Sequence, residues 1–317
     1  MKTLGRLFVI LMIIVVAFFI INIVPKSQFD NTNVWLKEQN NGIPLVMAHA
    51  GGAGVNPGNT MRAFEHSFEI GVDVLEMDLQ MTKDKVLVLR HGENKTGNIR
   101  SKSNCDTVIW DETYEWLYEN CNFGYNYKDA EDNYIYKELT KEEWIAEKIY
   151  LTTLEEVFET FKDNVLYNIE VKADADAWRT ETVDELYKLI DRYDLSNHVL
   201  VAVAFGDISE YITNTYPNLY LSTSQPEAQD FIIKTYSFTN LFYQPKGYSG
   251  LQIPTSFGLP VINKLQLDNK RVVNSAHSQN MAVHYWTIND EDEMKRLIEL
   301  GCDGIITNYP ELLIKII

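Results

Sequence analysis

The sequence predicts an irregular eight-stranded (β/α)8 barrel of the TIM type, carrying one inserted subdomain and preceded by an N-terminal transmembrane helix. Three observations predict it. From residue 43 onward short apolar strands alternate with amphipathic helices, which is the pattern of a parallel α/β architecture. About nine strand candidates occur, one of them peripheral. The roughly 275 residues of 43–317 fall within the size range of such barrels.

Taken in order, residues 1–6 carry Lys2 and Arg6 and form a short cytoplasmic N-terminus. Residues 7–24, LFVILMIIVVAFFIINIV, are an 18-residue apolar run broken only by Asn22 and followed by Pro25. That length is near the minimum for a bilayer span, and no small-x-small cleavage site closes it. An uncleaved single-pass anchor is expected. The preceding positive charges keep the N-terminus inside and place the rest of the chain at the cell membrane, on the extracytoplasmic side. Residues 25–42 are polar and Asn-rich and read as a linker, leaving 43–317 as the barrel domain.

Strands are expected at PLVMAH (44–49), 73–81, 85–90, VLYNIEV (165–171), HVLVAVA (198–204), LYLST (219–223), NLFYQ (240–244), MAVHYWT (281–287) and DGIIT (303–307). Helices are expected at 60–70, 153–161, 178–193, 225–236, 269–279 and 291–300. Residues 93–150 interrupt the alternation with an acidic, aromatic-rich insertion, long enough to be a lid or a small subdomain. Cys105 and Cys121 both lie in it, which suits a disulfide in an exported protein. Cys302 reads as a small buried residue left over by the odd count.

The formal net charge of -17 argues against nucleic acid as a partner. An anionic substrate would need the field reversed locally, as a bound divalent cation does. The sequence has a place for one. Glu76 and Asp78 are two apart on a strand, so both carboxylates share a face, and such a hard-oxygen pair suits a divalent cation. A two-residue hairpin on Lys83 and Asp84 pairs residue 76 with residue 91, setting His91 across from Glu76. The competing reading is a charged, solvent-facing strand edge. His49, Glu170 and Trp286 fall at strand ends, where barrels of this class place their chemistry. Singly they also read as a capping His, a strand-terminal Glu and a core Trp.

Several motifs occur together in order: HAGG (49–52), PGNT (57–60), Glu76-x-Asp78, TKD with an apolar run ending in His91, Glu170-x-Lys172, WTIN (286–289) and GCDGIITNYP (301–310). This ordered set resembles the glycerophosphodiester phosphodiesterase family, whose fold is an irregular α/β barrel. The resemblance covers residues 43–313. It implies that Glu76, Asp78 and Glu170 hold Ca²⁺ or Mg²⁺ and that His49 and His91 are the general acid and base. It also implies an aromatic wall at Trp286 for the alcohol group, and the nucleophile is either water or a neighbouring glycerol hydroxyl. Lys172 reads equally as a phosphate contact or as an ion pair with the carboxylates. Gly51 and Gly52 allow close backbone approach to a phosphate, or simply form a turn.

Four positions depart from the family pattern. Ala50 stands where an Arg usually follows the first His, Gly58 where a Glu precedes Asn59, Gly92 where an Asp follows His91, and Asn308 where the closing motif has Asp. The expected partner is a small-molecule or lipid-derived phosphodiester. Two competing readings are a relative of the phosphoinositide-type phospholipases and a catalytically silent module binding phosphorylated wall polymers. The missing Arg beside His49 weighs against the first. Retention of two proton-transfer groups with three carboxylates weighs against the second.

Overall fold

The computed structural model describes residues 2–23, 33–93, 96–172, 179–239, 243, 247–258 and 264–317. Its strands are β1 (Leu45–Ala48), β2 (Val74–Met81), β3 (Leu87–Leu89), β4 (Leu166–Val171), β5 (Val199–Val203), β6 (Tyr220–Leu221), β7 (Gly250–Ile253), β8 (Ser256–Phe257), β9 (Leu265–Gln266), β10 (Ala282–Tyr285) and β11 (Gly304–Thr307). Its helices are α1 (Lys2–Ile23), α2 (Met61–Glu69), α3 (Tyr114–Asn120), α4 (Lys141–Ala146), α5 (Leu154–Phe161), α6 (Arg179–Arg192), α7 (Gly206–Thr215), α8 (Gln225–Tyr236), α9 (Lys270–His277), α10 (Glu291–Leu300) and α11 (Pro310–Ile314).

Eight strands run parallel in the order β6-β5-β4-β2-β1-β11-β10-β7. A parallel bridge between Ser222 and Gly250 joins the two ends, with Thr223 N donating to Gly250 O at 2.8 Å and Ser249 N to Leu221 O at 2.8 Å. The result is a nearly closed barrel. β1, β2 and β5 are buried along their whole length, because parallel strands covered on both faces need near-continuous apolar runs. The surrounding helices start where a polar side chain satisfies a free N–H. Thr60 caps α2, Thr153 caps α5, Asn269 caps α9 and Asp290 caps α10. Thr140 and Glu143 form a reciprocal capping box at α4.

Three expectations need correction. The sixth barrel strand in chain order is β7, Gly250–Ile253, where no strand was expected; the expected NLFYQ lies, but for Tyr243, outside the described residues. Four residues led by a glycine leave almost no periodic signal. Second, among the described residues no helix is long and apolar enough to cross a membrane, so the single-pass anchor at 7–24 and the extracytoplasmic placement built on it are not upheld. Third, the described end of the expected linker is built into the fold. Trp35 and Leu36 are fully buried and pack with Leu45, Met47, Val74, Leu200, Ala282 and Ile306 inside the barrel. Asn33 Nδ2 donates to Ser249 O at 3.0 Å and Asn280 O at 2.7 Å, and Lys37 N donates to Asp303 Oδ1 at 3.2 Å.

The insertion has its own apolar core of Ile99, Ile109, Leu117, Cys121 and Phe123, packed on Val88 of β3 and on Leu151. Cys105 and Cys121 are disulfide-bonded, and Cys302 is buried and free.

Candidate active site

The site forms at the C-terminal mouth of the barrel, starting with β2. Glu76 and Asp78 are both buried, and in the β2–β4 register Asp78 lies beside Glu170 and Glu76 beside Asn168. Neighbouring parallel strands therefore place the three carboxylates on one face. Their oxygens lie within 4.8 Å of one another.

Each carboxylate is held from a different part of the chain. Glu76 Oε2 accepts the Ala50 N–H at 2.6 Å. Asp78 is gripped twice by Asn59, whose Nδ2 donates to Asp78 Oδ2 at 2.7 Å and whose Oδ1 accepts the Asp78 N–H at 3.0 Å. Asn59 manages both from a left-handed backbone, φ 58°, a conformation that Asn tolerates better than most residues. Lys172 Nζ lies 2.7 Å from Glu170 Oε1 and 3.2 Å from Asp78 Oδ1, so it is ion-paired within the cluster.

Burial governs the electrostatics. It pushes the Glu76 carboxyl up to about 7, with His49 opposing the shift and Asp78 and Glu170 adding to it. Burial would raise Asp78 too, but Lys172, His91 and His49 hold it below the usual carboxylate range. Lys172 would be lowered by burial, yet Asp78 and Glu170 hold it above its ordinary value. Desolvation lowers His49, but Glu76, Asn308 and Asp78 outweigh it and the imidazole is raised overall. Hard oxygen donors that close together, carrying more negative charge than Lys172 offsets, fit a divalent cation.

Both imidazoles are anchored through Nδ1. That of His49 donates to Asn308 Oδ1 at 2.6 Å and that of His91 to Gly92 O. A carbonyl oxygen only accepts, so each ring presents Nε2 as its free position. The expected pairing of Glu76 with His91 is not found. β2 and β3 pair Leu79 with Leu89 and Met81 with Leu87, one residue out of the expected register, and Arg90 N donates to Asp78 O at 2.8 Å. Lys85, at φ 64°, adds the extra turn residue. His91 stands just past the ladder and still acts electrostatically on Asp78.

Trp286 is 45% exposed beyond the end of β10, which rules out the core reading. Gly51 and Gly52 have positive φ, and a Cβ on them would come within 2.8 Å of Phe64 and 2.9 Å of Ser67. Their smallness serves the turn and its packing on α2. Sequence reasoning missed the roles of Asn59, Asn308 and Arg90. PGNT and the Asn of TNYP were visible as motif positions, but nothing in one dimension showed what they touch.

The glycerophosphoryl diester phosphodiesterase family model matches residues 49–312. A Bacillus altitudinis glycerophosphodiester phosphodiesterase is 29% identical over 279 residues, 86% of this chain and 97% of that one. A Homo sapiens lysophospholipase D is 28% identical over 287 residues, 83% of each chain. Among solved structures, the glycerophosphoryl diester phosphodiesterase domain of a Mycobacterium tuberculosis protein superposes with a TM-score of 0.67 at 16% identity, covering 86% of this chain and 98% of that one. An Oleispira antarctica phosphodiesterase in complex with its product sn-glycerol-3-phosphate gives 0.63 at 17% identity, covering 87% and 97%. These two speak for the fold. With the family model spanning both histidines and all three carboxylates, the chain belongs to the glycerophosphoryl diester phosphodiesterase family.

Proposed function

We propose that this protein hydrolyses glycerophosphodiesters to glycerol phosphate and an alcohol, with residues 43–317 as the catalytic barrel and 93–150 inserted in it. The observation that carries the reading is the pair of imidazoles, each anchored through Nδ1 beside the Glu76–Asp78–Glu170 cluster. The names of the relatives support the substrate class.

In this mechanism His49 and His91 divide the proton work. The Nε2 of one takes the proton from the attacking oxygen and the other protonates the departing alkoxide; attack by water gives glycerol phosphate directly, and attack by a neighbouring glycerol hydroxyl gives a cyclic phosphate that water then opens with the same two groups. Glu76, Asp78 and Glu170 would hold Ca²⁺ or Mg²⁺, which supplies charge stabilisation at the phosphoryl oxygens when bound. Lys172 fixes the orientation of Asp78 and Glu170. Trp286 offers an apolar face to the alcohol or glycerol group.

The test strips the full chain of metal with chelator, restores Ca²⁺ or Mg²⁺, and follows alcohol release from glycerophosphocholine, glycerophosphoethanolamine and a lysophospholipid. Metal-restored turnover that falls at least about 100-fold in His49→Ala and in His91→Ala is the expected result. Wild-type turnover in both variants refutes the mechanism. Cation binding without turnover on any substrate favours a silent binding module instead.

A further inference from the structure

Arg90 is only 4% exposed, which is rare for a guanidinium and costly unless its donors are satisfied. No carboxylate makes a hydrogen bond to it among the described residues. Its partners are backbone carbonyls from three separate stretches, and among the described residues only its Nε is buried without one. Nη1 donates to Gly58 O at 2.7 Å, and Nη2 donates to Lys102 O at 2.8 Å and Phe123 O at 3.4 Å. The guanidinium carbon lies 4.9 Å from the centre of the Phe123 ring.

Each contact leads somewhere. Gly58 precedes Asn59, whose side chain holds both the carboxylate and the backbone N–H of Asp78. Lys102 and Phe123 belong to the insertion, three residues before Cys105 and two after Cys121, so the disulfide ties together the segments whose carbonyls receive Nη2. Just past β3, Arg90 donates its N–H to Asp78 O of β2, its carbonyl accepts from Gln80 Nε2 at 2.6 Å, and it immediately precedes His91.

We infer that Arg90 is a positioning residue that couples the disulfide-bonded insertion to the active site, holding the Gly58–Asn59 turn against Asp78 and setting where His91 leaves the strand. A fixed guanidinium suits this role because its rigid planar fork donates from separate nitrogens to carbonyls on different segments, whereas an ammonium donates from one point on a flexible stem. The insertion is then part of the catalytic frame, and its disulfide acts on the reaction through Arg90. The inference rests on the phosphodiesterase reading.

Arg90→Met, Arg90→Lys, Cys105→Ser/Cys121→Ser and the Arg90→Met triple variant would be made in the full chain and assayed on the best diester, with divalent cation titrated. Arg90→Met is expected to lower kcat by roughly 10- to 100-fold, the scale of a small misplacement of reacting groups, with KM changing less than about threefold. The cation concentration needed for half activation should rise about tenfold as Asp78 loses its hold, and Arg90→Lys should recover only part of either loss. The cysteine pair should show a smaller loss of the same kind, and adding it to Arg90→Met should cost no more than about twofold further, since the two act in one chain of contacts. Wild-type kcat and cation requirement in folded Arg90→Met, or losses that multiply in the triple variant, overturn the coupling. If Arg90→Met does not fold, the cysteine pair decides: unchanged kcat and cation requirement refute the inference. An inactive wild type would instead count against the phosphodiesterase reading itself.

Discussion

Asn308 Oδ1 accepts the His49 Nδ1–H at 2.6 Å across 259 residues of sequence. Asn308 is itself fixed, since its N–H donates to Asn289 Oδ1 at 2.9 Å and its carbonyl accepts from Gly54 N at 3.0 Å. The closing TNYP and WTIN motifs are thus linked to the opening HAGG turn, and the neutral carboxamide fixes the His49 tautomer without adding a charge. Asn308→Ala is expected to lower kcat/KM by about 10- to 100-fold, the usual scale for losing such an orienting partner. Steady-state kinetics check this, and wild-type values would remove Asn308 from the machinery.

Lys172 sits between Asp78 and Glu170, where its charge opposes that of any cation. Lys172→Met should therefore reduce the cation concentration required for half activation while lowering kcat, because the carboxylates lose the group that orients them. Metal titration of the variant reports both. No change in either makes the lysine a bystander.

Glu170 is the most exposed of the three carboxylates, its side chain about a third open. Glu170→Gln keeps the shape and removes the charge, so half activation should move to higher cation concentration, by roughly 10-fold or more. An unchanged metal requirement would strike Glu170 from the ligand set.

Trp35 is fully buried within the barrel, its ring centre 6.4 Å from that of Tyr220, and its carbonyl accepts from His284 Nε2 at 3.2 Å. Trp35→Ala should cost about 3–5 kcal/mol, the range for removing a large aromatic from a core. Urea unfolding measures it. A loss under about 1 kcal/mol would mean that the segment before β1 is dispensable.

The sequence by itself determined the barrel, most of its elements and the chemical inventory. α8 and α10 fall on the expected ranges, and α5 and α9 begin one residue inside theirs, because Thr153 and Asn269 cap rather than join them. Glu76 and Asp78 declared their shared face through the two-residue period of a strand, which is a local property. Tertiary structure alone decided the rest. The β2–β3 register turned on a single left-handed residue, Lys85, and one extra residue changes every cross-strand partner. Strand β7, four residues led by a glycine, was too short to carry a period, and the burial of Trp35 depends on a barrel that only eight strands together create. Asn308, Asn59 and Arg90 gain their roles from contacts across tens to hundreds of residues. Local periodicity reports which way a side chain faces, and only the closed barrel determines what it meets.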